Sequence, residues 1–355
     1  MFDLYPNCTF VHSEPYHFSP ILGTPTLSMI DQEIQGVPVD VTPIYPIRIQ
    51  GDVTLADRTG WAGSESAQRR SKKRVLSMSA TNTSAKITVD LGHVPKTLFL
   101  PLWGRAIESQ KERPLLVDKT ALQIIDAVDY DFATLTENLS DLTQAAWIMR
   151  SLCVDETVRV FLAKYPHGTI VNIGCGLDTT FDRIDNGTVL WYDLDLPDVI
   201  QLRRRFIPES DRRKLITASF LDESWLNDIH VSEQVLFIAD GVFYYFEEDQ
   251  VKDFLVRLAK RFSGCEIIFD ASSPYGIKTA NRMVIKRSGL DENSFLKWGL
   301  KNAETLTTWD RRFQVLNTHY YFGKNGQHLG LRVRLIGWIS DRMKIQYMIH
   351  LRMTG

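Results

Sequence analysis

Chemistry first shows in the stretch Thr169 to Pro197, TIVNIGCGLDTTFDRIDNGTVLWYDLDLP. A run of small and branched residues, Thr169, Ile170, Val171 and Ile173, stops at Gly174-Cys175-Gly176, and a second run, Thr188 to Tyr192, stops at Asp193 and Asp195. Glycines at a strand end let the backbone turn freely and admit a ligand where a Cβ would otherwise stand. An acid near the end of the next strand, about 20 residues on, can accept both hydroxyls of a ribose. Asp195 has that spacing from Gly176. The loop is GxG rather than GxGxxG, so it does not indicate a pyrophosphate cradle. A cofactor with a ribose and an adenine but no pyrophosphate fits the pattern, and S-adenosylmethionine is the leading candidate. Taken alone, such a loop can also be no more than a tight turn.

Methyl transfer from a sulfonium is an in-line displacement, so holding the acceptor oxygen against the methyl group in a dry pocket supplies much of the catalysis. A carboxylate acceptor needs no base, whereas a phenol or alcohol benefits from one. Tyr244, Tyr245, His319 and Tyr320 are the polar residues near the expected pocket edges. His319 and Tyr244 are the catalytic candidates, and only His319 has an intrinsic pKa suited to general-base work near neutrality. As a residue of an alternating strand, His319 can equally face solvent. Cys175 inside the glycine loop reads as a small buried residue rather than a nucleophile. The histidines are scattered without HxxxH or HxH spacing, so no metal is expected. Neither a GxSxG elbow nor a GxxxxGK[ST] phosphate loop occurs.

Charge narrows the partners. With 41 Lys and Arg against 43 Asp and Glu, the chain of 355 residues has no global positive field for nucleic acid or an acidic membrane surface. The expected partner is a small-molecule methyl acceptor, with no nucleic acid and no membrane. Cys8, Cys153, Cys175 and Cys265 are dispersed and form no CxxC pair, which fits a reducing cytoplasm better than a disulfide framework. No stretch has the apolar length of a bilayer span, and the first residues lack a basic region followed by an apolar block.

The elements that must position these residues follow from periodicity. Residues 1–77 are rich in proline, end in the basic cluster Arg69 to Arg74, and read as a poorly ordered or loosely attached extension. Residues 78–355 read as one domain, and a translation start at Met78 would leave it whole. Within it, residues 95–166 carry apolar residues at spacings of three and four and form a helical cap. Ala145, Ile148, Met149, Leu152, Val158, Phe161 and Leu162 are expected to make one buried stripe. From residue 167 onward, strands are expected at Thr169 to Ile173, Thr188 to Tyr192, Lys214 to Phe220, Gln234 to Ala239 and Cys265 to Phe269. Two late strands follow, in RFQVLNTHYYF and MKIQYMIHLRM, pairing antiparallel at the sheet edge. Leu329 to Trp338 is open to a helical reading, and helices are expected within about 276–300. The sum is an α/β fold of about seven strands, mostly parallel with an antiparallel C-terminal edge strand, under an N-terminal helical cap.

Several blocks occur in a fixed order: PLWGRAIES, the helix carrying Arg150, VNIGCGLDTTF, WYDLDLP, SFLDESW and FIADGVFYYF. In that order the chain resembles the leucine carboxyl methyltransferase family, which includes polyketide O-methyltransferases of the tetracenomycin type, over about residues 95–355. The resemblance implies a class I, Rossmann-like fold and S-adenosylmethionine-dependent O-methylation of a small-molecule hydroxyl or carboxyl. It implies that Arg150 pairs with the carboxylate of the methionine moiety, with Arg105 helping. Gly174 and Gly176 would pass under the cofactor and Asp195 would hold the ribose. Asp222 would accept from the adenine amine, with Leu221 or Phe220 near the ring. Asp240 stands where the family usually has glutamate, near the cofactor's amino-acid end.

The cofactor's carboxylate, ammonium, diol and amine require one basic and several acidic partners, and Arg150, Asp195, Asp222 and Asp240 supply them at element ends. Each acid read alone is also a plausible structural ion-pair partner. Thr180 occupies a position that the small-molecule branch often fills with arginine and the protein carboxyl methyltransferases with threonine. Methylation of a protein C-terminal carboxylate therefore stands as an alternative, as does a degenerate, non-catalytic copy of the fold.

Overall fold

The computed structural model describes residues 87–88, 98–137, 139–282, 295–323 and 325–355. The expectations for residues 1–77, for Met78 and for most of the helical insert between 283 and 294 fall outside these residues.

The cap consists of α1 (Phe99–Ser109), α2 (Lys119–Ala127), α3 (Phe132–Thr136) and α4 (Asp141–Lys164). Asp118 caps α2, where its carboxylate accepts from Ala121 N, and Ser140 caps α4 through Thr143 N. A two-residue parallel pairing, Ile87–Thr88 with Val128–Asp129, flanks α2. The long α4 is buried on more than one side. Ala145, Ile148 and Met149 form part of the expected stripe, while Arg150, Val154 and Thr157, at spacings of four and three, run into Phe161 of that stripe as a second buried line. A single stripe is thus corrected to two, because α4 is sandwiched rather than laid on a surface.

The sheet contains β1 (Thr169–Ile173), β2 (Leu190–Asp195), β3 (Arg213–Thr217), β4 (Val235–Ala239), β5 (Glu266–Ala271), β6 (Phe313–Tyr320) and β7 (Tyr347–Met353). Their spatial order is β3-β2-β1-β4-β5-β7-β6. The first five run parallel, and β7 pairs antiparallel with both β5 and β6. The last strand is therefore antiparallel as expected, but it lies one place in from the edge, which β6 occupies. Helices α5 (Thr180–Ile184), α6 (Pro197–Arg204), α7 (Glu248–Arg261), α8 (Pro274–Ala280) and α9 (Leu331–Arg342) complete the fold. In α7, Glu248 and Asp249 in the first turn and Lys260 and Arg261 in the last complement the helix dipole.

Every residue of β1, β4 and β5 is buried, as expected of parallel strands covered on both faces. The order reverses between β2, next to β1 on one side, and β4 on the other. A crevice at the strands' C-terminal ends at such a switch point is where this architecture binds ligands. Among the described residues no helix is long and apolar enough to cross a membrane.

Candidate functional site

At the end of β1 the chain turns through Gly174 (φ +60°) and Gly176 (φ +47°). This left-handed region strains any residue with a Cβ, so glycine is required at both positions. The packing is as tight as the backbone is unusual. A Cβ on Gly174 would lie 2.6 Å from Val242 Cγ2, and one on Gly176 would lie 2.6 Å from Leu98 Cδ2.

Asp195, at the end of β2, accepts from Gly176 N at 2.8 Å and from Leu196 N at 2.8 Å. A carboxylate offers about four acceptor sites, so two amides leave room for a diol. Burial pushes its pKa up, against those two amide bonds. The loop itself is held from behind by Arg203, which is fully buried and donates to Gly176 O at 2.8 Å and to Asp193 at 2.8 Å. Arg213 also binds Asp193, at 2.8 Å. Of the three adjacent arginines on α6, Arg203 is thus enclosed, while Arg204 and Arg205 are exposed. Burial raises the Cys175 thiol well above its ordinary value, which keeps it protonated in the packed loop.

Arg105 is buried and joins this loop from α1, donating to Asp118 at 2.8 Å and to Leu177 O at 3.2 Å. Its hydrogen bonds therefore position the glycine loop rather than reach the Arg150 guanidinium. Arg183 binds Asp155 through two bonds of 3.0 and 2.8 Å and Asp118 at 3.0 Å. Burial would raise the Asp178 carboxyl, but Arg183, Arg105 and Arg203 outweigh it and hold the pKa at about 2. Thr180 Oγ1 donates to Asp178 at 2.9 Å and accepts from Arg183 at 2.9 Å. That hydroxyl is engaged inside the loop by Asp178 and Arg183.

Arg150 projects from α4 toward the ends of β4 and β5. Its Nε lies 2.5 Å from Asp240 Oδ1 and its Nη1 lies 3.1 Å from Asp270 Oδ2. Nη1 also donates to Tyr244 Oη at 3.3 Å. Asp270 is wholly buried and accepts further from Tyr244 Oη at 2.9 Å and from Gly241 N at 2.8 Å. Among the described residues Arg150 Nη2 donates no hydrogen bond. Nε meets Asp240 as an ion pair without hydrogen-bond geometry, and Nη1 is held by Asp270 and Tyr244. Burial and the nearby Asp270 raise Asp240 to about 7, against the opposing pull of Arg150. Tyr244 is raised well above the phenol range by burial and then by Asp270, so its hydroxyl remains a donor. Its geometry makes it part of the seat of Arg150 rather than a base.

His319 lies near the end of β6 and faces Met348 on β7, which in turn faces Asp270 on β5. Directly opposed residues share a face of a sheet, so His319 is on the Arg150 side. Two strand spacings, about 10 Å, separate it from Asp270. Leu221 and Asp222 follow β3, whose end is tied to β2 by Ala218 N donating to Asp195 O at 3.0 Å. Leu221 is half-buried and the Asp222 side chain is exposed.

A cavity of about 120 Å³ lies elsewhere, lined by Glu108, Gln144, Ile148, Met149 and Val333 among others. Gln144 and Arg150 are separated by about 240° around α4 at 100° per residue, so this cavity opens on the far side of the helix. Among the described residues no group of three or more His, Cys, Asp or Glu is arranged to hold a metal ion.

Sequence reasoning missed Asp270, Asp118, Arg183, Arg203 and the anchoring part of Asp193. Only Asp270 had a usable signal, since it ends a parallel strand as Asp195 does.

The family model for leucine carboxyl methyltransferase matches residues 99–259. The tetracenomycin polyketide synthesis O-methyltransferase TcmP of Streptomyces glaucescens is 32% identical over 220 residues, covering 62% of this chain and 80% of TcmP. The S-adenosyl-L-methionine-dependent methyltransferase dpfgK of Gibberella zeae is 27% identical over 283 residues, covering 73% of this chain and 95% of dpfgK. Among solved structures, a DUF574 family protein from Streptomyces avermitilis overlaps with a TM-score of 0.49 at 10% identity, covering 73% of this chain and 97% of that one. The ordered blocks, the strand order and the match to TcmP agree, and the chain belongs to the leucine carboxyl methyltransferase family.

Proposed function

We propose that Arg150, seated on Asp240 and Asp270, receives the carboxylate of S-adenosylmethionine, and that the chain is an O-methyltransferase acting on a small molecule. The observation that carries this reading is the guanidinium itself, buried at the ends of β4 and β5 in ion pairs with Asp240 and Asp270, with no hydrogen bond from Nη2 among the described residues. Asp195 would hold the ribose hydroxyls through its remaining lone pairs. Leu221 and Asp222 lie on the side where an adenine would follow a ribose held at Asp195. Asp240 would turn from Arg150 toward the ammonium.

The cofactor supplies a methyl group on a sulfonium. The chain's residues orient the acceptor oxygen and exclude water. His319, on the Arg150 face of the sheet, is the residue proposed to take a proton when the acceptor is a hydroxyl. The name of TcmP, a polyketide synthesis O-methyltransferase, supports a small acceptor of the polyketide kind, and that of dpfgK supports the methyl donor. A cytoplasmic location belongs to the same reading, supported by the buried free thiols Cys153, Cys175 and Cys265.

The test is to supply S-adenosylmethionine with a panel of phenolic and carboxylic polyketide-type aromatics and follow each acceptor by mass spectrometry. A gain of one methylene on an oxygen is expected. No cofactor binding by calorimetry, or transfer only to a protein C-terminus, would sink the proposal.

A further inference from the structure

Asp270 has no contact with solvent, yet three donors from three different segments converge on its carboxylate. Arg150 Nη1 arrives from α4 at 3.1 Å, Tyr244 Oη from the turn after β4 at 2.9 Å, and Gly241 N from the end of β4 at 2.8 Å. The phenol of Tyr244 closes a small ring by also accepting from Arg150 Nη1 at 3.3 Å. A buried carboxylate stripped of water is costly unless such donors satisfy it. The same bonds fix the plane of the guanidinium and the Asp240-Gly241 turn relative to each other. The left-handed backbone of Gly241 (φ +79°) and the Arg150 head, whose Nη1 would lie 3.5 Å from a Cβ there, show how closely the two are fitted.

We propose that Asp270, with Tyr244 as its accessory donor, is the positioning residue that presents Arg150 and the Asp240 turn to the amino-acid end of the cofactor. The inference rests on the reading of Arg150 as the carboxylate partner. It assigns Asp270 no contact with the cofactor, because the carboxylate is enclosed behind the guanidinium. Asp240 and Asp270 then have separate tasks. Asp240, partly open to the crevice, exchanges partners, and Asp270 stays paired with Arg150 throughout.

Two ligands separate this role from a general structural one. S-adenosylhomocysteine carries the carboxylate and ammonium, whereas 5′-methylthioadenosine has the nucleoside and sulfur without either. In calorimetry with the full chain, Asp270→Asn is expected to weaken S-adenosylhomocysteine by roughly tenfold or more, the scale of a charge-assisted hydrogen bond, and to leave methylthioadenosine unchanged. Tyr244→Phe should shift the same ratio in the same direction by less, since the Asp270 to Arg150 pair survives. In turnover, KM for S-adenosylmethionine should rise while kcat at saturating cofactor holds.

Equal weakening of both ligands in Asp270→Asn, or of neither, overturns the inference alone. A wild-type protein that binds the two ligands equally overturns the reading of Arg150 and the inference with it. If Asp270→Asn does not fold, Tyr244→Phe decides by the same ratio: a selective loss supports the proposal and an unselective one refutes it.

Discussion

Arg150 balances two buried acids, and its removal has two separable effects. Arg150→Met leaves Asp240 and Asp270 without their cation, which is expected to destabilise the fold by about 3–5 kcal/mol in urea unfolding. Surviving folded protein should bind S-adenosylhomocysteine at least about tenfold more weakly, through the lost charge-assisted bond. Asp240 makes a prediction of its own. Its folded pKa is raised, to about 7, above the unfolded carboxyl value. A group shifted upward on folding contributes stability that is complete below the unfolded pKa and is lost as pH rises through the folded one. Wild-type stability relative to Asp240→Asn should therefore fall between about pH 4 and pH 7. A flat difference across that window, measured by denaturant unfolding, would contradict the assignment. Gln144 is the converse case, a buried amide whose nitrogen and oxygen both lack a partner among the described residues. Gln144→Leu is expected to leave thermal stability unchanged or to raise it by about 1 kcal/mol.

At the scale of elements, the glycine loop between β1 and α5 is the least tolerant segment. Gly176→Ala meets both a left-handed backbone and the Leu98 side chain, and a loss of about 1–3 kcal/mol in thermal unfolding is expected. Leu98→Ala in the same chain should recover the steric share and leave the backbone share. Elements of this kind were readable in the sequence because their signals are local. Runs such as VLFIA and EIIFDA can only be strands buried on both faces, and the glycine turn and strand-end acids follow from the same text. Helix α9 was harder to read because Leu331, Leu335 and Trp338 point outward, while Gly337 is the residue packed inward against Phe322. Amphipathic reasoning applied there selects the wrong face. The pairing of Arg183 with Asp118 and of Arg150 with Asp270 spans 65 and 120 residues. No spacing rule reports such contacts. Hence Asp195 and Asp240 could be named as site candidates, whereas Asp270, equally visible as a strand end, acquired its meaning only from the fold.

For the whole molecule, every proposed site residue lies at Leu98 or beyond, and the family match starts at residue 99. A chain lacking residues 1–77 is therefore expected to bind S-adenosylhomocysteine with unchanged affinity. Loss of binding or of a cooperative unfolding transition in that truncation would show that the segment is part of the working unit. The position of β7 acts at the same scale. It is the last strand in the sequence, yet it lies between β5 and the edge strand β6. Until β7 pairs, β5 therefore has an open hydrogen-bonding edge and β6 has no neighbour in the sheet. Unpaired edges of this kind are templates for aggregation. The row from Asp270 through Met348 to His319 is therefore assembled only when β7 inserts between β5 and β6.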